Sequence, residues 1–348
     1  MKYPEFLPQN GKIAIIAPSF GCTTEPYLSC FEAALQYLRR SGYEVITGPN
    51  VYCDDGIGKS NTPEKCADEI NSFFIEAQSD IIISAGGGET MCEDLEYVDF
   101  PGIAASKPVW YMGYSDNTNL TFTLPTLCDI AAVYGPNAPA YGMRPLHPYL
   151  ADALALLSGK ELNVKNYPGF ELESLKSIEN PYAPLNITEP FSLSLYQNSH
   201  LYASTEADTA FEGRLLGGCL DCLVKLCGTG FDNVGAFNEK YGNDGIIWFL
   251  ECCDLNVLEM RRCLWQLANA GWFDKASGFL IGRPLHFNEP CMGLDRFSAV
   301  TGILSRYGVP IVLDLDIGHL PPQMPLICGA KANINVCGNS VTVSHRLE

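Results

Sequence analysis

The sequence predicts an α/β protein whose first half is a parallel sheet covered on both faces, and three observations carry that prediction. Short, continuous apolar runs recur at Ile13-Ala14-Ile15-Ile16-Ala17, Ile81-Ile82-Ile83-Ser84 and Val109-Trp110-Tyr111-Met112-Gly113. Segments with helical spacing separate them, and glycines end several of the runs. Continuous rather than alternating apolar strands are those buried on both faces, and ligands of such sheets bind at the carboxyl ends of the strands.

The elements follow in order. The run from Ile13 to Pro18 is a strand, and 25–42 has helical spacing and stops at Gly42, which makes a βα unit. Tyr43 to Thr47 is the next strand, Pro63 to Gln78 the next helix, and Ile81 to Ser84 a third strand that runs into Gly86-Gly87-Gly88. A helix or turn leads to the strand at Val109. Beyond Tyr141 the pattern loosens, and 160–210, rich in Asn, Pro, Ser, Glu and Tyr, reads as linker plus an inserted surface segment. Order returns at Phe211, with strands at Gly245 to Glu251 and Gly278 to Gly282, a helix from Val257 to Asn269, and a β-rich tail from Ala332 to Ser344.

At 348 residues the chain suits about two domains of roughly 150 residues each. Hydrophobic residues at 47% against 18% charged, with a mean hydropathy of +0.04, exclude a disordered chain and a coiled coil. The 22 Lys and Arg against 40 Asp and Glu give a formal charge of −18, which excludes a sequence-independent grip on nucleic-acid phosphates and disfavours an anionic membrane surface. Fifteen cysteines are an odd number, and several lie inside apolar runs, so reduced thiols are expected. With no secretory pattern in 1–10 and no run near the ~18–20 apolar residues of a membrane span, the expected location is the cytoplasm.

Chemistry concentrates at Gly113-Tyr114-Ser115-Asp116-Asn117-Thr118-Asn119-Leu120, directly after one strand and before a helical segment. This is the context of a nucleophile elbow: a Gly two residues before the Ser relieves crowding, and free N–H groups at the helix start face a developing oxyanion. Asn117 stands where the hydrolase elbow has its second Gly. Helix capping by Ser115 or Asp116 explains the same residues. Gly86 to Gly88 let backbone approach a ligand, or simply turn; they are neither G-x-G-x-x-G nor a phosphate loop. Among His147, His200, His286, His319 and His345, His319 stands out on a strand-end loop after Ile311 to Gly318. Glu251 ends an apolar strand, where a carboxylate is costly without a partner such as an imidazole N–H or solvent.

Taken together, Ser115 in its Gly-Tyr-Ser-Asp-Asn-Thr-Asn-Leu setting, Glu251 in Phe-Leu-Glu and His319 in Asp-Ile-Gly-His, in that order, resemble the LD-carboxypeptidase family of serine peptidases. That family includes muropeptide carboxypeptidases and microcin C immunity peptidases. Lys12 to Ser19, Gly86-Gly87, Gly217-Gly218, Gly228-Thr229 and Met324-Pro325-Leu326 extend the likeness along nearly the whole chain. The resemblance implies a Rossmann-like, flavodoxin-like N-terminal domain (1–155) carrying Ser115. A linker and inserted segment (156–210) would follow, then a smaller β-rich α/β C-terminal domain (211–348) carrying Glu251 and His319, with the active site between the domains. It implies Ser115 as nucleophile, His319 as base and Glu251 as its orienting acid. The N–H groups of Gly87, or in its place Gly88, and of Asp116 would be the oxyanion donors, with no cofactor, no metal and a homodimeric assembly.

Departures from the family pattern bear on substrate. Ala85 stands where many members have Arg, Gly88-Glu89 replaces Tyr-Gly, Cys252-Cys253 follows Glu251 where an Asp is frequent, and Cys219 replaces an Asn. No Trp lies in 160–210, but Tyr167, Tyr182, Tyr196 and Tyr202 offer stacking faces. The expected substrate is a small peptide with a free carboxylate, such as a cell-wall tetrapeptide losing its terminal D-residue, with Arg214, Arg261 or Arg283 as carboxylate ligands. The alternatives are a peptidyl nucleotide of the sulfamoyl adenylate type, or a non-catalytic small-molecule-binding protein on the same fold.

Overall fold

The computed structural model describes residues 1–348. The chain forms two compact units, each assembled from separated segments: Met1–Leu162, Glu173–Asn186 and Pro325–Ile327 in the first, Asn163–Leu172, Ile187–Met324 and Cys328–Glu348 in the second.

In the first unit, β1 (Lys12–Ile16), α1 (Tyr27–Arg40), β2 (Glu44–Thr47), α2 (Pro63–Ile75), β3 (Ile81–Ser84), α3 (Phe100–Ala105), β4 (Trp110–Gly113), α4 (Thr118–Thr123), β5 (Ala132–Tyr134) and α5 (Pro148–Leu157) follow one another. Helix α1 buries Cys30, Phe31, Ala34, Leu35 and Leu38, one stripe at three- and four-residue spacing, and Gly42 follows it at φ +94°. Pro63 opens α2, where a missing N–H costs nothing. Strands β1 to β5 pair in parallel, in the order β2-β1-β3-β4-β5. Every residue of β3, β4 and β5 is buried, so both faces of the sheet are covered as their continuous apolar runs predict. This is the flavodoxin-like order, whose direction of winding reverses between β1 and β3, and the carboxyl ends there form a natural ligand crevice. A late segment, Leu326–Cys328, adds to the sheet beside β5.

The second unit is built on nine strands: β6 (Asn163–Lys165), β9 (Ser194–Gln197), β10 (His200–Ala203), β11 (Asp208–Cys219), β12 (Ile246–Glu251), β13 (Ala276–Gly282), β14 (Ile311–Leu315), β16 (Lys331–Cys337) and β17 (Ser340–Arg346). A separate ribbon pairs β7 (Gly169–Glu171) with β8 (Ile187–Pro190), and Leu326–Cys328 of the first sheet is β15. The centre, β11-β12-β13-β14, is parallel. Antiparallel strands flank it on both sides, with β9 and β10 beyond β14 and β16, β17 and β6 beyond β11. All of β12 is buried, whereas β16 alternates buried and exposed, the difference between a central strand and a half-solvated one. The core beside β12 is aromatic: Trp248 stacks on Trp272 at 5.7 Å and meets Phe273 edge-on at 5.1 Å. Helices α6 (Leu220–Leu226), α7 (Val234–Tyr241), α8 (Val257–Asn269) and α9 (Arg296–Leu304) complete the unit. In α8, Asn256 and Glu259 form a capping box.

The stretch read from sequence as linker and insertion divides between the units and carries β6 to β10. Strands of three or four residues are too short to show a period, which is why the sequence pattern there looks irregular.

Candidate active site

Ser115 follows β4 directly and sits at φ +65°, the left-handed region a side chain avoids unless its surroundings enforce it. The residue capping this helical turn is Tyr114, which makes no side-chain capping bond, so the turn is not organised around a Ser or Asp cap. What holds it is a set of side chains from neighbouring strands. Tyr134 Oη accepts the Ser115 N–H at 3.1 Å. Asn117 Nδ2 donates to the carbonyls of Gly86 at 2.8 Å and Tyr114 at 3.0 Å, and Tyr111 Oη donates to Asn117 Oδ1. Asn117 therefore ties the elbow to the glycine turn. Its bulk also explains Gly113, where a Cβ would lie 2.8 Å from Asn117 Cβ.

The glycine turn comes within contact of the serine. A Cβ at Gly87 would be 3.2 Å from Ser115 Oγ. The Gly87 carbonyl accepts from Phe20 N–H at 2.9 Å, joining the ends of β1 and β3 at the crevice. Gly88, at φ +157°, leaves room for Ser19 Oγ, which a Cβ would approach to 2.2 Å.

Beneath the turn, the Asp116 carboxylate accepts from Ser19 Oγ at 2.5 Å, Met91 N–H at 3.0 Å and Asn119 Nδ2 at 3.0 Å. Burial raises its pKa, opposed by those bonds and by the charge of Lys59. Lys59, with 1% of its side chain exposed, pairs with Asp94 at 3.0 Å and Glu93 at 3.1 Å. Asp94 is itself pushed up by burial.

In the second unit, Glu251 closes β12 and His319 lies on the loop after β14, both at carboxyl ends of parallel strands. The His319 Nδ1–H donates to Glu251 Oε2 at 2.8 Å, and the Glu251 side chain has no exposed surface. Two glycines make the room. A Cβ at Gly318, whose φ is +104°, would sit 2.3 Å from Glu251 Oε2, and one at Gly282 would sit 2.8 Å from Glu251 Cβ. The Gly318 carbonyl is held by Gln323 Nε2 at 2.6 Å. Burial raises the pKa of the nearby Cys253 thiol, and His319 opposes that rise. Of the other histidines, His286 pairs with exposed Glu289 at 3.1 Å, His147 caps α5, His345 lies buried in β17 and His200 packs on Tyr202.

The arginines expected to bind a substrate carboxylate are otherwise engaged. Arg214 is buried, pairs with Asp244 at 2.8 Å and lies over Tyr241. Arg283 is buried, pairs with Asp316 at 2.5 Å and lies over Phe170. Arg261 donates to the Ser298 carbonyl at 2.7 Å. Sequence reasoning also missed Asn117, Tyr134 and Gly318; the only signal for Asn117 was its occupation of the elbow's second glycine position.

Two family models match the chain, the LD-carboxypeptidase N-terminal domain over residues 13–135 and the LD-carboxypeptidase C-terminal domain over residues 212–334. The chain belongs to the LD-carboxypeptidase family. It is accordingly a hydrolase of the serine carboxypeptidase kind. Among relatives, the microcin C7 self-immunity protein MccF of Escherichia coli is 26% identical over 91% of this chain and 88% of its own. The probable murein peptide carboxypeptidase of Bacillus subtilis is 22% identical over 98% and 93%. Of solved structures, an MccF-like protein from Bacillus anthracis str. Ames superposes with a TM-score of 0.83 at 19% identity, covering 99% of this chain and 100% of that one. MccF in complex with aspartyl sulfamoyl adenosine superposes with a TM-score of 0.81 at 20% identity, with 99% of each chain covered. No helix of the LD-carboxypeptidase chain is long and apolar enough to cross a membrane.

Proposed function

We propose that the protein hydrolyses the amide next to a terminal residue of a small peptide, through an acyl-enzyme on Ser115 with His319 as general base and Glu251 as its orienting acid. The observation that carries this reading is the 2.8 Å bond from His319 Nδ1 to a fully buried Glu251 carboxylate. That bond fixes the tautomer in which Nε2 is the basic nitrogen and stabilises the imidazolium once a proton is taken. Ser115 supports it from the other side of the chemistry: a left-handed nucleophile turn with Gly87 in contact is the local geometry of an acyl-transfer elbow.

The steps follow from these groups. His319 removes the Ser115 proton as Oγ attacks the scissile carbonyl. The N–H groups of Gly87 and Asp116 receive the oxyanion, and His319 returns the proton to the leaving amine. Water, deprotonated by the same histidine, then releases the acyl group. Gly87 suits the donor role because its carbonyl is committed to Phe20 while its N–H makes no bond within the chain.

A second reading, cleavage of aminoacyl nucleotides, is favoured by the higher identity to the microcin C7 immunity protein. It is favoured also by Tyr182, 38% exposed, its ring 5.1 Å from the Arg144 guanidinium and offering an aromatic face for a base. A paired mass-spectrometric assay separates the two. L-Ala-D-Glu-meso-diaminopimelate-D-Ala and an aminoacyl sulfamoyl adenosine are offered to wild type and to Ser115→Ala. Release of D-Ala supports the first reading, cleavage of the adenosine compound the second, and activity retained in Ser115→Ala overturns both. Glu251→Ala and His319→Ala are expected to lose turnover as Ser115→Ala does, and the double variants no more than the singles, because such groups act as one unit.

A further inference from the structure

Cys219 and Cys222 form a Cys-x-x-Cys pair, a spacing with two chemical uses, metal ligation and reversible disulfide exchange. Local structure brings the sulfurs together. Cys219 is the residue before α6 and Cys222 the third residue inside it, and side chains at these two positions face each other across a first turn, as in a capping box. The neighbouring Cys222 thiol and burial together hold the pKa of the Cys219 thiol well above its usual value. Cys219 is buried and Cys222 partly exposed, which gives one inner sulfur and one that a reagent reaches. No group of three or more His, Cys, Asp or Glu side chains that could hold a metal ion exists in the chain, and a zinc site needs at least three such ligands. Disulfide chemistry is the use that fits.

The pair adjoins the Glu251–His319 dyad. Cys219 on β11 lies in register with Glu251 on β12. Asp221, between the two cysteines, accepts from the N–H groups of Cys253 and Asp254, each at 3.1 Å, and lies 3.3 Å from Cys219 Sγ. Burial raises the pKa of the Cys253 thiol and the neighbouring His319 opposes that rise. The first turn of α6 is thus tied to the strand that bears Glu251 and to the two residues, Cys253 and Asp254, that follow shortly after it.

We propose that Cys219 and Cys222 are a redox-active dithiol, and that its oxidation by a disulfide of the glutathione class shifts the first turn of α6 and slows the Glu251–His319 dyad. Cys222, as the thiolate, attacks one sulfur of glutathione disulfide; the S–S bond breaks and glutathione leaves as a thiolate that takes up the proton. Cys219, losing its proton, attacks the Cys222 sulfur of the mixed disulfide and expels a second glutathione. Two protein thiols are oxidised, one glutathione disulfide is reduced to two thiols, and two protons pass to them.

The slowing of the dyad rests on the serine-peptidase reading; formation of the disulfide does not. The full chain is treated with glutathione disulfide, blocked with N-ethylmaleimide, reduced, relabelled with iodoacetamide and mapped by mass spectrometry. The rate of fluorophosphonate labelling of Ser115 is followed in parallel. Cys219 and Cys222 are expected to carry the second label together. The labelling rate is expected to fall on the order of 10²-fold, the effect of a displacement near 1 Å, and to recover with dithiothreitol. Cys222→Ser should keep the wild-type labelling rate and lose sensitivity to glutathione disulfide, while Cys263→Ser stays sensitive. The dithiol is overturned if both cysteines retain the first label, or if Cys222→Ser is as sensitive as wild type. The switch is overturned if the disulfide forms and labelling is unchanged. Absence of labelling in the reduced wild type refutes the serine-peptidase reading and with it the switch, while the map still decides the dithiol.

Discussion

Gly318 decides the acid–base pair as much as the two side chains that form it. Glu251 reaches His319 only because nothing occupies the position of a Cβ at residue 318, 2.3 Å from Oε2, and because φ +104° is open to glycine. Gly318→Ala is therefore expected to push Glu251 out of line and lower kcat on the order of 10²-fold, with the circular dichroism spectrum retained. Gly308→Ala is the control. It has a comparable left-handed φ of +67° and nothing within 4 Å, so it should cost only about 1–2 kcal/mol of backbone strain and leave kcat unchanged. Equal loss of activity in both would show that the clearance at 318 is not what positions the acid. At Asn117, by contrast, it is the side chain that matters, because its amide ties the turn to the carbonyls of Gly86 and Tyr114.

At the scale of elements, α2 is tied to the loops after β1 and β2 by one carboxylate. Glu69 accepts from Ala17 N–H at 2.8 Å and Asn50 N–H at 3.0 Å, with Gly48 leaving room for it. Burial pushes its pKa from 4.5 up to about 7, the backbone bonds opposing. The folded state thus binds the proton more tightly than the unfolded one. The stability this contributes is full below pH 4.5 and is lost as pH rises through 7. Its size is about 3 kcal/mol, from the proton linkage of a shift of that order. In urea titrations at pH 4 and pH 8, wild type should lose about that much more stability than Glu69→Gln across the interval. Equal pH dependence in the two proteins would mean that Glu69 is ionised throughout. Elements also set what could be read in advance. The buried strands β3, β4 and β12 and the amphipathic α1 announce themselves by composition and period, whereas β6 to β10 are three or four residues long and lie at or next to a sheet edge or in a ribbon, where partners rather than local pattern make the strand.

For the molecule as a whole, the formal charge of −18 is the property most open to a simple test. The protein should bind an anion exchanger at pH 7 and pass unretained through heparin at low salt, since self-similar charge repels a polyanion; retention on heparin would reveal a basic face that the total conceals. The sequence by itself determined the α/β class, because continuous apolar strands are a local consequence of burial on both faces. It also determined the candidate residues Ser115, Glu251 and His319, because their order and neighbours resemble one family's motifs, and the family is confirmed over 13–135 and 212–334. Only the tertiary structure decided that Glu251 and His319, 68 residues apart, are hydrogen-bonded, and that Arg214 and Arg283 are spent on Asp244 and Asp316. It alone decided that the stretch around 160–210 is shared between two units. The reason is physical. A burial pattern is written in neighbouring residues, but the partner of a charged side chain is chosen by whichever strand end the fold brings beside it.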